Sequence, residues 1–163
     1  MLLPLLGIAL LVRHDEPGNT PSDTAECVLP VSGVQLSAEQ MGNARTIAQV
    51  ARDRGLPERA VVIALATAMQ ESTLHDLDHG DRDSLGLFQQ RPSQGWGTPE
   101  QVQDPAYAAG KFYDHLVQVP DWQTGRLTEV AQAVQRSGFP EAYQKHEPMA
   151  AELATELATD SDC

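Results

Sequence analysis

A lone carboxylate at the end of an apolar run is the first feature of this 163-residue chain whose type and position could do chemistry. Residues 60–69 are apolar at every position except Thr67, and Glu71 follows two positions later. If that run is an enclosed helix, Glu71 sits at its C-terminal end. There, partial loss of water and the negative end of the helix dipole both disfavour a charged carboxyl. Its pKa is expected to rise. A carboxylic acid that holds its proton near neutral pH can deliver that proton to a departing sugar oxygen, which is the general-acid step of glycosidic bond cleavage.

The stretch after Glu71 has a different composition. Residues 73–97 are rich in Gly, Asp, His and Ser, with a short apolar piece at 85–89, which suits an irregular hairpin or loop excursion. Asp81 and Asp83 lie 10 and 12 positions beyond Glu71. Either could fold back as the second carboxylate that a retaining or inverting glycosidase needs, or both could be turn formers in Gly80-Asp81-Arg82-Asp83. His75, Asp76, Asp78 and His79 add potential metal ligands. However, Leu87 stands where a calcium loop requires its bidentate Glu, and H-E-x-x-H is absent, so neither a metal nor any other cofactor is expected. Trp96, between Gly95 and Gly97, is suited to stacking on a sugar or to covering the core.

These residues need elements to position them. Ser37-Ala38-Glu39-Gln40 has the form of a capping box, and Met41, Ala44, Ile47, Ala48 and Ala51 recur at helical spacing until Gly55. Leu56-Pro57 restarts the chain into the apolar run. A strand over 61–65 is an alternative there, but the length and the alanines favour a helix enclosed on all sides. Thr98 and Asp104 are N-terminal signals, the latter leading Tyr107, Ala108, Phe112 and Leu116 along one face. Thr128 is expected to cap a helix over 129–137, Pro140 to start another at Glu141, and Pro148 to break or restart it. The expected fold is mainly α, in an α+β arrangement: a helical domain with a buried central helix and a small irregular hairpin excursion.

Glu71-Ser72 at the end of an apolar helix, then Gly86-Leu87-Phe88-Gln89, then a Tyr-bearing helix over 104–116 resembles the order of the lysozyme-like superfamily, in particular its bacterial lytic transglycosylases. There the pattern is Glu-Ser, Gly-Leu-Met-Gln and a downstream helix. The resemblance covers about residues 37–145 and implies a lysozyme-like fold acting on peptidoglycan glycan strands. By it, Glu71 protonates the oxygen linking N-acetylmuramic acid to N-acetylglucosamine and then serves as base. Ser72 helps to position Glu71 or the substrate acetamido group. Gln89 and the backbone of Gly86 and Leu87 line the sugar cleft, and Tyr107 and Tyr113 are candidate wall residues, although aromatics at helical spacing are also what a core requires. The family's late Ala-Tyr-Asn-Ala-Gly stretch corresponds to AVQRSGFPEAY, residues 133–143. That segment keeps Ala133, Val134 and Gly138 but has Arg136-Ser137 in place of the Tyr-Asn pair, which leaves Tyr143 to fill the role. The departure keeps two outcomes open, a transglycosylase and a hydrolase. It also leaves a non-catalytic glycan-binding or structural module as the alternative function.

The remaining composition narrows the partners. A formal charge of −12 with 11 basic residues argues against nucleic acid, because phosphate binding relies on clustered Lys and Arg. Residues 1–12 contain LLPLLGIALLV, too short to span a bilayer and similar to the apolar part of an export signal. Residues 13–31 form a polar linker, 32–159 the domain and 160–163 an acidic tail. This order suggests a secreted or surface protein, anchored by its leader if that is retained, and a monomer. Cys27 and Cys163, the only cysteines, flank the domain and are candidates for one disulfide.

Overall fold

The computed structural model describes residues 27–159. In chain order it contains β1 (Cys27–Val28), β2 (Gln35–Leu36), α1 (Ala38–Asp53), α2 (Glu58–Ser72), a 3-10 turn (Pro92–Gln94), α3 (Pro99–Val102), α4 (Pro105–Leu116), α5 (Leu127–Gln135), a second 3-10 turn (Gln144–His146) and α6 (Glu147–Ala158). It is a mainly helical protein with one small antiparallel sheet, in which Cys27 opposes Leu36 and Val28 opposes Gln35. The expected leader over residues 1–12, residues 13–26 of the expected linker, and residues 160–163 with Cys163 lie outside the described residues. Among the described residues, no helix is long and apolar enough to cross a membrane.

The apolar run forms helix rather than strand, as its length and alanines favour. Every residue from Ala60 to Ala68 is buried, and α2 packs against α1, α4, α5 and α6, so it has no wet face along that stretch. Ile63 and Leu65 are fully buried, each contributing about 1.5–3 kcal/mol by removal from water. Thr67, the polar exception, returns its hydroxyl to the Ile63 carbonyl at 2.7 Å and leaves no unmet group in the core.

The helix ends abruptly. Thr73 and Leu74 both take left-handed backbone conformations, with φ of 52° and 61°, and Leu74 turns into the core. Two amides from α1 hold this exit: Gln40 Nε2 donates to the Thr73 carbonyl and Asn43 Nδ2 to the Leu74 carbonyl, each at 2.8 Å. Gln40 is also half of the Ser37 capping box, so the start of α1 and the end of α2 are fixed together.

The polar excursion is an irregular hairpin, as its composition suggests. Leu85 and Gln90 exchange two backbone hydrogen bonds at 3.0 Å. Gly86 lies so close to α3 that a Cβ there would come within 2.1 Å of the Val102 carbonyl oxygen; its φ of +75° also favours glycine. Phe88 stacks on Phe112 of α4 at 4.8 Å, and Gln90 Nε2 donates to the Ala108 carbonyl at 3.0 Å, so the hairpin is clamped to α4. Asp104 caps α4 through the Tyr107 amide as its position indicates.

Three boundaries differ from expectation. The folded unit includes 27–31, previously assigned to the linker, because Cys27 and Leu29 are buried and Glu152 of α6 accepts hydrogen bonds from the Val31 and Ser32 amides. Thr128 lies inside α5 rather than at its start. Its hydroxyl donates to the Pro140 carbonyl, so it ties α5 to the following loop. Pro140 starts no α-helix: the chain turns through 139–142 and resumes at Glu147, with Pro148 in the first turn, where its missing N–H has no helical partner to lose.

Candidate functional site

Glu71 occupies the last turn of α2 and is half-buried. Tyr143 Oη donates to its Oε1 at 2.6 Å, and Gln135 Nε2 donates to the same oxygen at 3.1 Å. That Gln135 amide also donates to the Phe88 carbonyl at 2.8 Å, so α5, the hairpin and the acid share one nitrogen. Both neighbours are acceptors, which fixes the NH2 end of Gln135 toward them and leaves its Oε1 sealed without a partner. Glu71 Oε2 makes no hydrogen bond with any described residue and is not among the sealed unpartnered atoms, so it is open to solvent or substrate.

The electrostatics follow from that geometry. Burial raises the Glu71 pKa, and the Tyr143 and Gln135 hydrogen bonds pull it back only in part. No ion pair among the described residues includes Glu71, so no cation stabilises its charged form. Tyr143 is itself pushed well above the ordinary phenol range, first by burial and then by the Glu71 charge and hydrogen bond, so it is a permanent donor. A half-buried carboxyl with one oxygen anchored by neutral donors and the other free can carry a proton and release it outward.

Gln135, Gln94 and Trp96 line both a small hollow of about 40 Å³ and an open groove of about 810 Å³. The two spaces share a wall that includes the amide holding Glu71, while Glu71 itself lines neither. Trp96 is half-buried and stacks on the His115 ring at 4.1 Å with an interplanar angle of 29°. It therefore both covers core and lines the groove.

The structure places the other expected residues as follows. Ser72 is buried; its hydroxyl is shared between the Ala68 carbonyl at 3.1 Å and the Leu87 carbonyl at 2.8 Å, so it pins the hairpin to the end of α2. Leu87 is fully buried with its carbonyl so engaged, and does not line the cleft. Gly86 packs against α3, and its carbonyl accepts from the Gln89 backbone and side chain. Gln89, at φ 49°, lines the small hollow but turns its Nε2 back to the His79 and Gly86 carbonyls. Tyr107 is a support rather than a wall: its hydroxyl donates to the Trp96 carbonyl at 3.2 Å, and its ring lies against Gly97. Tyr113 is core, with its hydroxyl on the Ile47 carbonyl at 3.0 Å. Tyr143 is brought to the acid itself.

Neither aspartate hydrogen-bonds to Glu71. Asp83 accepts from Arg91 Nε at 2.6 Å and from the Ser93 amide at 2.7 Å, one bond on each oxygen, and hydrogen bonding from Ser93 first and Arg91 second holds its pKa far below the usual carboxylate range. Asp81 is exposed, and its carbonyl accepts the turn hydrogen bond from the Ser84 amide. No group of three acidic, His or Cys side chains among the described residues is arranged to hold a metal ion. Cys27 is buried and is not a free thiol, while its candidate partner Cys163 lies outside the described residues.

Gln135 was missed by sequence reasoning although a signal for it existed. Leu127, Ala131 and Gln135 recur every fourth residue, so the glutamine continues an otherwise buried stripe of α5. A polar side chain on such a stripe needs a polar partner, and here the partners are Glu71 and Phe88. No protein-family model matches this chain, and no curated protein matches it either.

Proposed function

We propose that this protein cleaves the glycan strands of peptidoglycan, with Glu71 as general acid and then base, and that it does so outside the cytoplasm. The observation that carries this reading is the setting of Glu71: a half-buried carboxyl, its pKa raised by burial, with Oε1 held by Tyr143 and Gln135 and Oε2 unoccupied by any described residue.

In the reaction, the proton on Oε2 moves to the oxygen between N-acetylmuramic acid and N-acetylglucosamine, and the bond from that oxygen to the anomeric carbon breaks. Two neutral donors remain on Oε1 and steady the carboxylate as it forms. With Asp83 engaged by Arg91 and Ser93, Glu71 works without a second carboxylate. The muramyl residue's own 6-hydroxyl then adds to the anomeric carbon, returns its proton to Glu71, and gives a 1,6-anhydro end. Water as the nucleophile would give a reducing end instead.

Digestion of purified cell-wall sacculi between pH 4 and 8, with mass analysis of the soluble fragments, tests this reading. Release of anhydro-ended fragments is expected, and those fragments are one water lighter than hydrolysed ones. Absence of release across that range defeats the proposal. A glycan-binding module without catalysis would use the same groove and Trp96, and Glu71→Gln separates the two, since binding to sacculi should survive the amide while turnover should not.

A further inference from the structure

The open groove beside the acid carries one unanswered charge. Among its lining residues, Asp114 is paired with Arg54 at 2.8 Å, and His115 Nδ1 is hydrogen-bonded to the Lys111 carbonyl at 2.9 Å. Arg136 also lines it, is exposed, and makes no ion pair or side-chain hydrogen bond with any described residue. In a chain of net charge −12, a cation in a groove with no acid assigned to it stands out.

Its placement is also constrained. Arg136 terminates α5 in a left-handed conformation, φ 51°, with its amide on the Gln132 carbonyl at 2.8 Å. That geometry is unfavourable for a side-chain-bearing residue by about 1–2 kcal/mol, and glycine or asparagine would be the easier choice. The residue before it is Gln135, whose amide donates to Glu71, so the backbone that carries the cation continues directly from the acid's own support. Trp96 lines the same groove and offers an aromatic surface suited to the apolar face of a sugar ring.

We propose that Arg136 binds a carboxylate carried on the lactyl arm of a muramyl residue while Trp96 receives a sugar face, so that the groove selects muramyl over N-acetylglucosaminyl units. This deepens the peptidoglycan reading above and rests on it. The carboxylate is either the lactyl group's own, on a peptide-free strand, or one belonging to a peptide attached to that arm. A planar guanidinium is matched to a carboxylate in both cases.

The test is a binding titration with the full chain carrying Glu71→Gln, so that no ligand is consumed. The probes are a peptide-free tetrasaccharide of alternating N-acetylglucosamine and N-acetylmuramic acid, its lactyl methyl ester, a peptide-bearing counterpart with and without its carboxylates esterified, and an N-acetylglucosamine tetrasaccharide. A free acid should bind about tenfold more tightly than its ester, as a charge-assisted pair in an open groove allows. Arg136→Asn, which tolerates the left-handed backbone, should collapse that gap to nearly nothing, and Arg136→Lys should restore part of it. Whichever acid and ester pair shows the gap identifies the source of the carboxylate. A gap that persists in Arg136→Asn, or no gap in either pair with Arg136 intact, overturns the inference while saccharide binding still stands. A folded protein that binds none of the saccharides defeats the peptidoglycan reading itself, and this inference with it.

Discussion

Two carboxylates of this protein, Glu71 and Asp83, both precede the Leu85–Gln90 hairpin turn in sequence and have opposite fates. Asp83 has a cationic donor on one oxygen and a backbone amide on the other, which favours its charged form and leaves no lone oxygen directed elsewhere. Glu71 is withdrawn from water, meets only neutral donors, and meets them on one oxygen. The first arrangement builds a loop. The second favours the neutral form of the carboxyl, and the difference lies first in burial and then in how many donors reach each carboxylate, rather than in the carboxyl group itself.

The comparison breaks most visibly in turnover. Glu71→Gln keeps size and hydrogen-bonding capacity but removes the proton, and should lower the rate of fragment release from sacculi by at least about 10²-fold, the usual contribution of a general acid. Asp83→Asn should stay within a few-fold of the parent protein. If both variants lost activity equally while remaining folded, Asp83 would be a reaction partner and the product should then be a reducing sugar.

Tyr143 tests the anchored side of Glu71. Its hydroxyl donates to the carboxylate form, so Tyr143→Phe removes a stabiliser of the charge and should raise the Glu71 pKa further. The alkaline limb of kcat/KM, which reports the acid in the free enzyme, should move to higher pH, and the maximum should fall by roughly tenfold as the acid loses its orientation. A limb that moved to lower pH would mean that Tyr143 acts on some group other than Glu71.

Stability should separate the two carboxylates by sign. The folded-state pKa of Glu71 is raised, so its favourable contribution is complete at pH values below the ordinary carboxylate range and is lost as pH rises through the raised value. The folded-state pKa of Asp83 is depressed, so its contribution is complete above the ordinary range and is lost as pH falls. Thermal melts of Glu71→Gln and Asp83→Asn against the parent, taken from pH 3 to 8, should therefore give difference curves of opposite slope. The parent should lose ground to Glu71→Gln, and gain ground on Asp83→Asn, as pH increases. Parallel curves would contradict the burial argument for Glu71.

Much of the architecture was legible because it depends on local signals. The Ser37 capping box, the all-round apolar run of α2 and the Asp104 cap each specify an element through neighbours three or four residues apart, and each is present where the sequence puts it. The misplaced features depend on long-range partners. Thr128 has the composition of a cap, yet the Pro140 carbonyl claims its hydroxyl from 12 residues away. Val31 looks like linker until Glu152 is seen to receive its amide from 121 positions along the chain. At the site, the position of Glu71 follows from periodicity, but its partners come from 64 and 72 residues downstream, and no spacing rule connects them. Tyr143 entered through an absent motif and Gln135 did not enter at all, since a glutamine at the end of an amphipathic helix is ordinarily a solvated residue.

That overlooked glutamine gives the finest test of the contrast. Gln135 Nε2 reaches Glu71 Oε1 at 3.1 Å, longer than the 2.6 Å of Tyr143, and divides itself between that oxygen and the Phe88 carbonyl. Its pull on the Glu71 charge is correspondingly the weaker of the two. Gln135→Leu should shift the alkaline limb upward, in the same direction as Tyr143→Phe but by less, because it removes only the longer, shared donor. It should also cost about 1 kcal/mol of stability, since the Phe88 carbonyl loses its side-chain donor in a partly enclosed place. With both substitutions combined, the limb should move further than with either alone, because the remaining carboxylate would have no protein donor on either oxygen. If the double variant shifted no further than Tyr143→Phe, the amide would be holding the hairpin alone, and the tyrosine would be the sole tuner of the acid.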